Sequence, residues 1–230
     1  MTPLTWERLW RSSGISFVLF FIIAYAIYGD QPKVGAPAGK LVSFYDGDRT
    51  RILISSVIFG LAVLNLLWFA AAINSTLRDA GQGGWGAAAT AASAALGAVF
   101  FVLITVGAAL AYSIAGSGND TLTSGLNDLS WVSSVIASFP AAMLIMAGTF
   151  GLWRAGIISS GLFWAGVAAV LLVLAGGTTW AGSGIWAPDG AYARFISPAV
   201  GSVWIAVVSG LLTRRLSSEH APERGAVPAR

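Results

Sequence analysis

Apolar residues fall into six long runs along this chain: Ser13 to Gly29, Ile52 to Asn74, Gly86 to Ala115, Ser130 to Trp153, Ile157 to Thr179 and Phe195 to Thr213. None of them contains Asp, Glu, Lys, Arg or His. Roughly 20 apolar residues in a helix cross about 30 Å of hydrocarbon. The pattern therefore predicts an all-α, polytopic transmembrane bundle of six spans. Between the runs the connections are short. The longest, Asp30 to Arg51, carries Pro32, Gly35, Pro37 and Gly39 in its first half, which deny it regular structure there. No connection is long enough for a second core, so residues 1–216 form one transmembrane domain. The tail 217–230, "SSEHAPERGAVPAR", is polar, has two prolines and lacks apolar periodicity, and is expected to be disordered.

Polar signals within this pattern refine it. Arg8 and Arg11 precede the first run, which reaches Ala24-Tyr25-Ala26 and so also resembles a signal peptide with its cleavage site. Five further runs would hold the chain in the bilayer in any case, and a first transmembrane helix is the reading adopted. Small residues four apart allow close helix approach. They occur at Ala87, Ala91 and Ala95, at Gly161, Ala165 and Ala169, and at Ser202, Ala206 and Gly210, which are expected contact faces. Trp131, Trp153, Trp180 and Trp186 stand near run ends, where amphipathic rings prefer the headgroup level.

Composition agrees with the pattern. Of 230 residues, 56% are hydrophobic and 10% charged, against about 25% charged in soluble domains. The net charge of +3 comes largely from arginines beside run ends and in the tail, with no basic face of the kind nucleic acid needs. Arg8, Arg11, Arg78, Arg154, Arg214 and Arg215 fall on one side of a six-span arrangement, and Lys33, Lys40, Arg49, Arg51 and Arg194 on the other. With no Lys or Arg in Gly116 to Leu129, the positive-inside rule places both termini in the cytoplasm. A multi-pass protein of the cell membrane is the expected localisation.

Candidate chemistry is sparse. Without Cys there is neither a disulfide framework nor a thiolate site. The single histidine, His220, is in the tail, so a bis-histidine haem within the spans is excluded, and both lysines lie in a loop. Ionisable residues inside spans mark proton relays and ion paths, and none is present. No cofactor is expected. What remains is Asn65 in the second run, Thr105 in the third, and Ser138 beside Pro140 in the fourth. Pro140 cannot donate to Ile136, which frees a carbonyl at membrane depth. Asn65 and Pro140 could border a path for a small solute, or could serve packing alone.

The stretch "FYDGDRTRILISS" at residues 44–56 concentrates charge ahead of the second run. Asp48 stands where a carboxylate caps helix amides. Arg49 and Arg51 can reach headgroup phosphates, and Phe44 and Tyr45 suit the interface. Asp46-Gly47-Asp48-Arg49 lacks the alternating oxygen ligands and distal Glu of a calcium loop. Interfacial anchoring is one reading. An outer site including Asp46, Asp48, Asn127 and Asp128, acting on lipid headgroups, is the other.

This stretch, with "LNLLWFAAAINSTLRDAG" and "LWRAGIISSGLFWAGVA", resembles a group of uncharacterised six-helix membrane proteins of actinobacteria, with departures at Gly47 and Ser159-Ser160. The resemblance implies the architecture and transfers no activity or site. The expected function is non-enzymatic, through contacts with the lipid bilayer and with a membrane-protein partner or a second copy of the chain. A small-solute permease and a headgroup enzyme are the alternatives.

Overall fold

Every apolar run is helical in the computed structural model, which describes residues 3–219. The stretch 220–230, which carries most of the expected disordered tail and His220, lies outside the described residues. The helices are α1 (Pro3–Arg11), α2 (Ser13–Tyr28), α3 (Ala38–Tyr45), α4 (Arg49–Asp79), α5 (Gly83–Ala109), α6 (Asp120–Ile136), α7 (Ser138–Arg154), α8 (Ser160–Gly176) and α9 (Ser197–Glu219). α5 runs on through a π-helical turn at Leu110–Ile114, and a second such turn, Tyr192–Ile196, leads into α9.

The count of spans is corrected by these lengths. Among the described residues four rods are long and apolar enough to cross a membrane: Arg49–Asp79, Gly83–Ser117, Asp120–Arg154 and Tyr192–Arg215. The first and fifth expected spans form helices of only 16 and 17 residues. At 1.5 Å per residue these reach about 24 to 26 Å, short of about 30 Å of hydrocarbon. Their ends have local causes. α2 is broken from α1 at Ser12 and stops at Gly29, whose φ of +83° suits glycine. α8 starts late, after Gly156 at φ +68°, with the Ser159 hydroxyl accepting from the Leu162 amide. The chain is thus an all-α multi-pass membrane bundle with four membrane-length helices rather than six.

Packing follows a closed circuit. α2 lies along α4, α4 along α5, α5 against α7, α7 against α8, and α9 closes the ring against α8 and α2. α6 and α7 are one rod interrupted at Ala137, three residues before Pro140, where the missing proline N–H removes a helix bond. The buried core centres on Phe17, Leu66, Phe69, Ile145 and Trp204. A second cluster, Leu41, Phe44, Tyr45 and Ile52 with Leu110 and Ala111, seats α3 on the end of the bundle.

The expected contact faces are only partly the real ones. Ala87, Ala91 and Ala95 are exposed, as are Gly161 and Ala165, whereas Ala169 is buried and Ser202, Ala206 and Gly210 are half-buried; on α5 the buried small residues are Gly86, Ala89, Ala92 and Ser93. Close approach is made by single glycines set opposite large or branched side chains. A Cβ on Gly97 would meet Val63 at 3.4 Å, one on Gly151 would lie 2.7 Å from Leu77, and one on Gly166 would strike Thr149.

Candidate functional site

Inside the ring of helices lies a cavity of about 220 Å³, walled by α2, α4, α5, the α6–α7 rod and the start of α9. Its two ends differ in chemistry. One end is aromatic: the half-buried Phe21 packs on Phe17 with ring centroids 5.7 Å apart, on Phe59 at 5.5 Å and on Phe100 at 6.3 Å. The other end is polar, with Tyr25, Gln31, Ser130, Ser134, Ser138, Arg194 and Ser197.

Helical spacing along the α6–α7 rod accounts for three of these seven. Ser130, Ser134 and Ser138 recur every fourth residue, so they share one face of the rod, and all three line the cavity. Pro140 is absent from the lining but stands in the first turn of the helix whose start it sets.

Above the serines the segment 29–36 forms a roof pinned to α6. Gln31 donates from Nε2 to the Ser130 hydroxyl at 2.6 Å and to Asn127 Oδ1 at 3.3 Å. Trp131 Nε1 donates to the Pro32 carbonyl at 2.9 Å, and the Gly35 amide donates to Asp128 at 3.2 Å. Asn127, fully buried, also accepts from the Tyr45 hydroxyl at 2.9 Å and donates from Nδ2 to the Lys33 carbonyl and to Asp128, each at 3.3 Å. Burial pushes the Tyr45 phenol well above its ordinary pKa, so at neutral pH its proton stays on oxygen and is donated to Asn127.

Arg194 closes the roof from the opposite side. The π-helical turn that carries it inserts one residue ahead of α9, the kind of irregularity that re-aims a side chain. Its Nε donates to the Tyr25 hydroxyl at 2.8 Å, its Nη2 pairs with the Asp30 carboxylate, and its guanidinium lies 5.9 Å from the Trp131 ring centroid. The Arg194 side chain is 14% exposed and that of Asp30 86%. The hydrogen bond and the positive charge of Arg194 hold the Asp30 carboxyl below the usual carboxylate range. Lys33 and Lys40 act on it in the same sense. The clasp is therefore ionised on both sides at neutral pH.

The residues singled out in the sequence divide sharply. Asn127 and Asp128 belong to the roof. Asp46 is exposed, with its Oδ1 3.1 Å from where a side chain on Gly116 would begin, and neither it nor Asp128 lines the cavity. Asp48 occupies the N-cap of α4, but its carboxylate takes no helix amide and instead accepts from Arg51 Nη2 at 2.6 Å. Arg51 also lies 5.6 Å from the Phe44 ring centroid, and Arg49 lies 4.8 Å from that of Tyr112. Asn65 neither bonds a neighbouring helix nor faces the cavity: its Nδ2 donates to the Leu61 carbonyl of its own turn at 2.9 Å. Trp131 is 6% exposed, so it is a roof residue rather than a headgroup anchor, whereas Trp153 and Trp180 are exposed. Gln31, Tyr25 and the phenylalanine cluster were not singled out from the sequence, and Arg194 only as a topology marker. The Ser130/Ser134/Ser138 spacing is the signal in the sequence that could have found it.

Among the described residues no cluster of His, Cys, Asp or Glu could hold a metal ion. Comparison of the chain with protein-family models, with curated proteins and with solved structures gives no match. Membership of the six-helix actinobacterial group is thereby withdrawn, since no family match supports it and the helix lengths give four spans.

Proposed function

We propose that this membrane protein acts without catalysis by holding one small single-chain amphiphile inside its helical ring. The observation that carries this reading is the separation of the 220 Å³ cavity into an aromatic end and a hydroxyl- and guanidinium-bearing end. An apolar cavity of about 150 Å³ takes a benzene. The space here suits one ring, or a chain segment of similar bulk, and a compact head. It is too small for a whole diacyl lipid, and below the roughly 300–1,000 Å³ of ordinary small-molecule sites. Arg194 lies near the start of the Tyr192–Arg215 rod, so a head beneath it would sit toward the end of the bundle, with its tail running inward as in a leaflet. Contact with a membrane component, rather than turnover of one, is the function this arrangement favours.

Gly201 offers a clean test. It lines the cavity, and a Cβ placed on it would meet nothing within 4 Å. A side chain there starts in open space, so Gly201→Leu should reach into the cavity from an unstrained position, and leucine favours the helix by about 0.5 to 1 kcal/mol over glycine. With the protein in phosphatidylcholine nanodiscs and decanoate as probe, native mass spectrometry should show one bound molecule in the wild type. Binding should be at least tenfold weaker in Gly201→Leu, with no loss of melting temperature. Equal binding by the two proteins would refute the reading.

A further inference from the structure

Ser138 and Ser197 are only 7% and 5% exposed, both line the cavity, and among the described residues neither hydroxyl has a hydrogen-bond partner. They are close neighbours. A Cβ on Gly176, at the end of α8, would lie 2.8 Å from the Ser138 Oγ and 2.5 Å from the Ser197 Oγ, so the bare glycine makes room for the pair.

Other serines of the same wall have already committed their protons. Ser55 donates to the Ala24 carbonyl at 2.7 Å, Ser56 to Ile52 at 2.9 Å, Ser130 to Asn127 at 2.7 Å and Ser134 to Trp131 at 2.7 Å. Each thereby satisfies itself on backbone, as polar groups buried away from water must. Arg194 uses Nε for Tyr25 and Nη2 for Asp30, which leaves the two N–H groups of Nη1 with no partner among the described residues. The uncommitted groups at the polar end are thus mostly donors: the hydroxyls of Ser138 and Ser197, that of the half-buried Ser202 and one guanidinium nitrogen, against the Gln31 Oε1 as an acceptor. The charge around them has the same sense. Arg194, Lys33 and Lys40 stand against Asp30 and Asp128, three cations to two carboxylates.

We infer that the head recognised here is an anionic oxygen group, a carboxylate or a phosphate monoester, which accepts from Ser138 and Ser197 and lies beside Arg194. This inference rests on the amphiphile reading above and specifies its ligand. A neutral alcohol head could satisfy one hydroxyl but would leave the guanidinium nitrogen unserved. A quaternary ammonium head would meet donors and a net positive charge.

The test uses the full chain in phosphatidylcholine nanodiscs with four probes of one chain length: decanoate, decyl phosphate, decanol and decyltrimethylammonium. Decanoate or decyl phosphate should bind at least tenfold more tightly than decanol, and the ammonium least. Whichever anion leads identifies the source of the head, and either supports the inference. In the doubly substituted Ser138→Ala, Ser197→Ala protein, affinity for the leading anion should fall at least tenfold, as expected for lost hydrogen bonds to a charged group, while decanol changes less than threefold. Both hydroxyls lack protein partners and alanine favours helix, so the double variant should melt no lower than the wild type. A purely structural pair would not separate the probes. Decanol binding as tightly as both anions, or unchanged anion affinity in the double variant, overturns the inference. If Gly201→Leu still abolishes binding in that case, the amphiphile reading stands by itself. If Gly201→Leu changes nothing, that reading is what has failed.

Discussion

Asn127→Leu is expected to destabilise the protein by about 1 to 3 kcal/mol, the cost of stranding one buried group, with the loss of the part-buried bond to the Lys33 carbonyl adding to it. The Tyr45 hydroxyl, on a residue with no exposure, loses its acceptor, and the Lys33 carbonyl loses its donor. Gln31 keeps only its bond to Ser130, so the roof segment loosens as well. Denaturant unfolding in mild detergent measures the effect. Tyr45→Phe is the control: it removes one hydroxyl and leaves Asn127 served by Gln31, so about 1 kcal/mol is expected. If Asn127→Leu cost no more than Tyr45→Phe, the network would not be the structural centre of the roof.

Gly148→Ala should cost about 1 to 3 kcal/mol, although alanine is ordinarily worth about 0.5 to 1 kcal/mol over glycine within a helix. Its new methyl would fall against the Trp204 ring, 2.8 Å from Cζ2. Trp204 has little freedom to move aside. Its Nε1 donates to the Thr149 hydroxyl at 3.0 Å, its ring meets Phe69 edge-on at 6.3 Å, and the residue is 9% exposed. Trp204→Phe makes room, so the double variant should be less damaged than the sum of the single changes, a coupling that a double-mutant cycle reads directly. A Gly148→Ala protein more stable than the wild type would show that α7 and α9 do not approach as described.

Hydropathy alone made the helical, membrane-spanning character legible, because long charge-free runs have few other uses. It overcounted the spans because a run of apolar residues does not report where a helix is capped. Ser12, Gly29, Gly156 and Ser159 shorten two helices, and each acts through local backbone geometry. Small residues four apart missed the close contacts of α5 and α8 for a related reason. Close approach depends on what stands opposite, as Thr149 stands opposite Gly166, and that partner is remote in sequence.

The site was legible only in fragments. Pro140 was legible as a break because its effect is local, whereas Asn127 and Asp128 were marked only as polar residues beside a span, and their use as a roof depends on contacts with residues about a hundred positions away. Asn65 drew attention as an amide at membrane depth, yet its own helix satisfies it. Arg194 could be read only as one more charge near a span end, because nothing in the sequence announces the π-helical turn that carries it. The open hydroxyls of Ser138 and Ser197, on largely buried residues facing the cavity, belong to the folded chain alone.

Photolabelling tests the central claim most directly. A decanoate bearing a diazirine midway along its chain, equilibrated with the protein in nanodiscs and irradiated, should label the aromatic end of the cavity. Peptides containing Phe21, Phe59 or Phe100 should carry the label, excess decanoate should compete it away, and Gly201→Leu should abolish it. Label confined to the exposed faces of α8 and α9, indifferent to competitor and to Gly201→Leu, would contradict the account.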